Sequence, residues 1–163
     1  MRTILVTGGT TFVSRYVSEY FITRGDTVYT LHRGTRPSPE GAIPIIADRL
    51  ALGDRLRELH LDAVLDVTAY TAAHVNALLD ALPDFGDYIL VSSSAVYPET
   101  NPQPFTEEQP CGENHVWGAY GANKLAAERA LLSRVPNAYV LRPPYLYGEG
   151  ENLYRAPFVF DCA

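Results

Sequence analysis

Apolar residues run unbroken from Ile4 to Val6, stop at Thr7, Gly8 and Gly9, and return as Phe12, Val13, Tyr16, Val17, Tyr20 and Phe21. A short apolar run closed by glycine predicts a buried strand, and recurrence at three- and four-residue intervals predicts an amphipathic helix. The alternation then repeats along the chain. Thr27 to Leu31 predicts a second strand, and Ile43 to Ala47 a third, followed by a helix through His60 with Leu50, Leu52, Leu56 and Leu59 facing inward. Ala63 to Thr68 predicts a fourth strand despite Asp66, and Thr71 to Leu82 its helix, with Val75, Leu78, Leu79 and Leu82 on one side. Tyr88 to Ser92 predicts the fifth strand. After a polar loop from Pro98 to Glu113, a helix runs from Gly118 or Ala119 to Ser133, and Ala138 to Leu141 forms the last strand.

Strands alternating with helices through short links predict an α/β fold, a Rossmann-type doubly wound parallel sheet. Such sheets bind ligands beyond the carboxyl ends of their strands, which gathers Thr7 to Thr11, His32 and Arg33, Thr68 to Tyr70, and the serines 92 to 94 at one edge. The first turn is a candidate dinucleotide site, because helix N-terminal amides can hold a phosphate without a basic side chain. Its glycine spacing is partial: starting from Gly8, the second and third positions are Thr11 and Ser14. A flexible strand-to-helix connection is the alternative. The second strand ends in His32, Arg33 and Gly34 with no acid before Glu40, so Arg33 and Arg36 favour NADP over NAD unless both only face solvent. Asp48, just after a strand, either accepts a bond from an adenine amino group or caps its own helix. His74 reads as a surface or internally satisfied helix residue.

Composition narrows these classes. The chain has 163 residues, 47% of them hydrophobic, enough for one compact domain. Residues 1 to 60 hold eight Arg and six acids (+2), whereas residues 61 to 163 hold five basic groups and thirteen acids (−8). Without massed basic groups, a nucleic-acid partner is disfavoured. Cys111 and Cys162 lie far apart with no Cys/His cluster, so neither a metal nor a disulfide framework is expected. With no apolar stretch near 18 residues and no signal-peptide pattern, a soluble cytoplasmic protein without a membrane partner is expected.

Tyr120 and Lys124 stand four residues apart, on one face of their predicted helix. A phenol is a weak base at its ordinary pKa of about 10, but a neighbouring ammonium favours the tyrosinate. A strand-end serine can orient a substrate oxygen beside it. These parts suit hydride transfer at a carbinol or ketone of a small molecule, although a Tyr-x-x-x-Lys pair alone also arises by chance.

The constellation resembles the N-terminal part of an extended short-chain dehydrogenase/reductase of the NAD-dependent epimerase/dehydratase family. Thr7-Gly-Gly-Thr-Thr-Phe12 resembles its glycine turn, Ser92-Ser-Ser-Ala-Val-Tyr97 its serine-bearing strand end, Tyr120-Gly-Ala-Asn-Lys124 its catalytic pair, and Arg142-Pro-Pro-Tyr-Leu-Tyr-Gly148 its Arg-Pro segment. The resemblance implies Ser93, Tyr120 and Lys124 as catalytic residues, with Ser94 the alternative to Ser93. It implies Gly8, Gly9, Thr11, Phe12, Arg33, Asp48, Thr68 and Lys124 as contacts to NADP or NAD, a nucleotide sugar as a possible substrate, and a homodimer through the helices near 71 to 82 and 118 to 132. Val75, Leu78 and Leu79 then belong either to the core or to that interface. Residues 1 to 150 are read as the cofactor domain and 151 to 163 as the start of a substrate region whose remainder is absent, with Phe158, Val159 and Phe160 needing a cover. Thr11 and Ser14 replace two glycines of the family's turn and Pro98 stands where it has Gly after Val-Tyr, whereas the Gly8-Gly-Thr-Thr-Phe12 turn and the Leu31-His-Arg-Gly34 strand end look more like an atypical branch that includes chloroplast stem-loop-binding proteins. A non-enzymatic nucleotide- or RNA-binding relative is therefore the alternative function, and a folded but inactive fragment is a third.

Overall fold

The protein is described by a computed structural model covering residues 1 to 151, so the expectations placed on 152 to 163, including the apolar Phe158, Val159 and Phe160, lie outside the described residues. Six strands, β1 (Thr3–Thr7), β2 (Thr27–His32), β3 (Ile43–Ile46), β4 (Leu61–Asp66), β5 (Phe85–Val91) and β6 (Tyr139–Leu141), form one parallel sheet in the order β3-β2-β1-β4-β5-β6. The order reverses direction between β1 and β4. That reversal opens the crevice in which doubly wound sheets bind ligands.

Alternation along β1 explains why both faces are covered. Leu5 turns to one face, where it packs with Leu31, Val64 and Leu90 of the sheet and with Val75, Leu78, Ala127 and Leu131 of helices α2 (Ala72–Ala81) and α3 (Ala119–Arg134). Ile4 and Val6 turn to the other, where Val28, Phe21 and Ile22 join them under helix α1 (Phe12–Thr23). Val75, Leu78 and Leu79 are buried within the chain itself, which assigns them to the core.

Three sequence expectations need correction. Tyr16 and Tyr20 of α1 point to solvent, and the buried positions are Ser14 and Ser18. The reason is the glycine turn: a Cβ on Gly8 would lie 3.0 Å from Ser14 Oγ, and one on Gly9 would lie 3.3 Å from Ser18 Oγ, so only small residues fit there. The expected helix from Asp48 to His60 is a series of turns. Gly53 breaks it with a positive φ of 55°, Leu50 is exposed, and Leu52 and Leu56 alone are fully buried. Asp48 accordingly caps no helix; its Oδ1 accepts the Leu50 N–H at 2.9 Å in a local turn.

The fourth strand also begins and ends two residues earlier than expected. At its end, the Asp66 carboxylate is fully buried and accepts hydrogen bonds from Thr7 Oγ1 (2.8 Å), Tyr88 Oη (2.7 Å) and both terminal nitrogens of Arg49 (3.0 and 2.9 Å). Thr7 Oγ1 in turn accepts the Val67 and Thr68 N–H groups, which takes those residues out of the ladder. A buried carboxylate stripped of its paired cation is left uncompensated, so Arg49→Ala should lower unfolding free energy by about 3–5 kcal/mol. Urea denaturation checks this, with Arg49→Met/Asp66→Asn expected to recover part of the loss.

Candidate functional site

The glycine turn stands at the β1 edge of the crevice. Gly8 and Gly9 have φ of 88° and 73°, and a Cβ on Gly9 would be 2.4 Å from Thr30 Cγ2, so glycine is required for both conformation and space. Phe12, the first residue of α1, also has positive φ (43°), and the first turn of that helix carries no acid. Gly8 lies against Thr68, whose Cγ2 would be 2.9 Å from an added Cβ. The turn and the β4 end therefore meet directly. The arrangement suits an anion, because the start of α1 has no side-chain cap and no acid in its first turn to compete for the helix amides.

At the β2 end, His32 accepts the Gly34 N–H at Nδ1 (3.1 Å), and its Nε2 is 2.8 Å from Ser38 Oγ, which also pairs with Thr30 Oγ1 at 2.8 Å. Burial holds the imidazole below its ordinary pKa. These bonds fold the 33 to 37 segment back on the strand and leave Arg33 and Arg36 exposed. Asp48, beyond β3, is exposed as well, with Oδ2 left over from its bond to Leu50.

The serine turn and the helix that carries Tyr120 and Lys124 pack together beyond the β5 end. Ser93 Oγ accepts the Ala95 N–H (3.2 Å) and caps a single 3-10 turn, Ser94–Val96; Ser92 is buried with its hydroxyl unpartnered among the described residues. Helix α3 lies directly on that turn at Gly121, where an added Cβ would be 2.4 Å from the Ala95 carbonyl oxygen. Tyr120, the preceding residue, is 39% exposed and rests against Trp117, with ring centroids 6.0 Å apart. Lys124 is 3% exposed, and its Nζ donates to the carbonyls of Ala69 and Val91 at 2.7 Å each. Burial pulls its pKa down to about 8, against the opposing pull of Asp66 and Glu128.

One turn further along α3, the buried Glu128 accepts from Arg142 Nη2 at 2.8 Å and Nε at 3.1 Å, and Arg142 Nη1 donates to Tyr97 Oη at 2.8 Å. This bond set ties the segment after β6 to α3 and to the end of the serine turn. His74, expected to be a surface or satisfied helix residue, is partly buried, and its Nδ1 accepts the Tyr70 N–H at 3.2 Å.

Several parts escaped the sequence reading. Asp66 looked like an exception within a strand, and the close seat of Gly121 on Ala95 has no local signal in the sequence. A plain count was available for Lys124: it is the only lysine in the chain, all twelve other Lys/Arg cations being arginine. An ammonium can lose its proton near neutrality when buried, and a guanidinium cannot.

The profile of the NAD dependent epimerase/dehydratase family matches residues 4–82 and 67–158. The chain is 28% identical over 164 residues to chloroplast stem-loop binding protein of 41 kDa b from Arabidopsis thaliana, covering 89% of this chain and 42% of that protein. It is 29% identical over 157 residues to dTDP-4-dehydrorhamnose reductase from Streptomyces griseus, covering 90% and 50%. The chain thus spans about half the length of these relatives. UDP-N-acetylglucosamine 4-epimerase from Bacillus cereus superimposes with a TM-score of 0.76 at 25% identity, covering 99% of this chain and 62% of that one. No helix among the described residues is long and apolar enough to cross a membrane.

Two measurements test the geometry. Gly121→Ala must push α3 off the Ala95 carbonyl, and a loss of about 1–3 kcal/mol in chemical denaturation is expected. The Lys124 amine has a folded pKa of about 8 against an ordinary 10.5. Between those values the unfolded chain binds the extra proton, so this group's contribution to stability rises with pH and is lost as pH falls through 8. Relative to Lys124→Met, the wild type should gain stability from pH 7.5 to pH 10; a constant difference would refute the lowered pKa.

Proposed function

This chain belongs to the NAD dependent epimerase/dehydratase family, and we propose that residues 1 to 150 are its NAD(P)-binding domain, which carries out hydride transfer at a carbinol or ketone of a nucleotide-sugar-like substrate. The observation that supports this reading is the seating of the helix that carries Tyr120 and Lys124 on the turn that Ser93 caps. Lys124 bonds the Ala69 carbonyl in the segment after β4 and the Val91 carbonyl at the end of β5, and Gly121 seats the same helix on the turn that Ser93 caps.

Bound NAD(P) supplies the hydride acceptor or donor. In this reading Gly8, Gly9, Thr11 and Phe12 hold its pyrophosphate with backbone amides, Asp48 accepts from the adenine amino group through Oδ2, and Thr68 lines the crevice beside the turn. Arg33 pairs with a 2'-phosphate, which makes NADP the preferred form. Tyr120 gives or takes the proton of the reacting hydroxyl at Oη, Ser93 orients the substrate oxygen, and the Lys124 ammonium favours the tyrosinate and binds the ribose. Since its pKa lies near 8, Lys124 is mostly a cation at neutral pH. The nucleotide-sugar class is supported by the likeness to dTDP-4-dehydrorhamnose reductase, and a homodimer through the outer faces of α2 and α3 is part of the same proposal.

The likeness to a stem-loop binding protein over 89% of the chain favours a second reading, an atypical relative that binds RNA in place of turning over a sugar. The net charge of −6 weighs against it.

Calorimetric titration separates the readings. One saturable site for NAD+ and tighter binding of NADP+ are expected, with Tyr120→Phe leaving affinity unchanged and Arg33→Ser weakening NADP+ about tenfold while sparing NAD+. A folded chain that binds neither nucleotide, yet takes up an RNA stem-loop with steep salt dependence, would overturn the enzymatic reading in favour of the second.

A further inference from the structure

Lys124 is enclosed more completely than a ribose-binding amine can be while it works. Two of its three N–H donors go to the carbonyls of Ala69 and Val91, and the Tyr70 ring centroid lies 5.3 Å from Nζ, within the range of a cation–π contact. Together these leave the side chain 3% exposed. Tyr70 itself is 50% exposed, in the link between β4 and α2. Its backbone is fixed, because Tyr70 N–H donates to His74 Nδ1 and the next residue, Thr71, caps α2 by accepting the His74 N–H at 3.2 Å. Its ring is held far less: it meets the His74 ring edge-on at 6.4 Å and belongs to none of the three apolar clusters. A fixed backbone with a half-exposed ring allows a side-chain rotation at little cost to the fold.

We propose that Tyr70 is a positioning residue for Lys124: its ring covers the remaining N–H of the ammonium and must rotate into solvent before that N–H can reach a cofactor hydroxyl. The proposal rests on the reading of Lys124 as the ribose-binding amine. Its consequence is a closed, desolvated lysine in the free protein and an open one in the nucleotide complex. The charged groups that act on Lys124 are Asp66 of β4, Glu128 of α3 and Arg49 from the segment after β3, and a change at Tyr70 leaves all three in place.

Because Lys124 is the only lysine, reductive methylation reports one side chain, and peptide mapping separates it from the exposed amine of Met1. Labelling should be measured on the wild type, Tyr70→Ala and Tyr70→Phe, with each rate divided by its fraction of unprotonated amine and compared with Nα-acetyl-lysine, treated the same way, as the free-amine standard. The wild-type side chain should react at least about tenfold more slowly than the standard, Tyr70→Ala should raise its rate about two- to thirtyfold, and Tyr70→Phe should keep the wild-type rate because the covering ring is retained. Wild-type labelling as fast as the standard would overturn the proposal, and so would a Tyr70→Ala rate equal to the wild type's. In titrations with NAD+, Tyr70→Ala should bind more tightly by a similar factor; equal affinity would remove the requirement for rotation. Labelling needs no nucleotide, so a protected Lys124 in a protein that fails to bind NAD+ would sink the functional reading alone.

Discussion

The Asp66 carboxylate is the constraint on which the crevice depends. A bare carboxylate at the fully buried end of a central strand is costly, and its oxygens are met here by four donors from three directions. Those donors fix the surroundings. Thr7 is held at the start of the glycine turn, Tyr88 joins β5 to β4, and Arg49 is drawn inward from the segment after β3, where it also donates to the His74 carbonyl at 2.9 Å. Breaking the set would loosen the turn, the β4 end and the start of α2 together, since among the described residues no other cation is hydrogen-bonded to Asp66.

Electrostatic order continues outward from that pair. Lys124 feels Asp66 and Glu128 as attractive charges and Arg49 as a repulsive one, and Glu128 is neutralised by Arg142. The signs alternate from Arg49 through Asp66, Lys124 and Glu128 to Arg142. Alternation lets five ionised groups share one interior, yet it does not restore water to Lys124, whose pKa still falls because desolvation is the largest influence. Arg142, by contrast, is pushed upward, because Glu128 and Tyr97 both accept its N–H groups.

What was legible in the sequence follows from which residues act locally. Periodicity marked all six strands and the three helices, because Ile4, Leu5 and Val6 or Val75, Leu78 and Leu79 declare their burial by spacing alone. It failed at 48 to 60, where four leucines at helical intervals are overruled by Gly53 and by the pull of Asp66 on Arg49, a partner seventeen residues away. It also misjudged α1, since Tyr16 and Tyr20 match an apolar face while the glycine turn demands serines beneath the helix. The candidate catalytic trio was readable as a motif. Its support was not, because Gly121 against Ala95 and Lys124 against Ala69 are contacts made only when the sheet is assembled.

The choice of cation tells the two halves of the crevice apart. On the β2 side, Arg33 and Arg36 stand exposed, where a permanent charge with a forked donor set suits a phosphate and loses nothing by staying charged. On the β5 side, the one lysine is buried against two carbonyls and an aromatic face, in surroundings that a guanidinium could neither fit nor neutralise. An arginine at position 124 would carry its charge into the same desolvated site at every accessible pH, with five donors to satisfy in place of three. The lone lysine therefore puts at this end of the crevice a cation whose hold on its proton is weakened by burial, one helical turn along α3 from Tyr120.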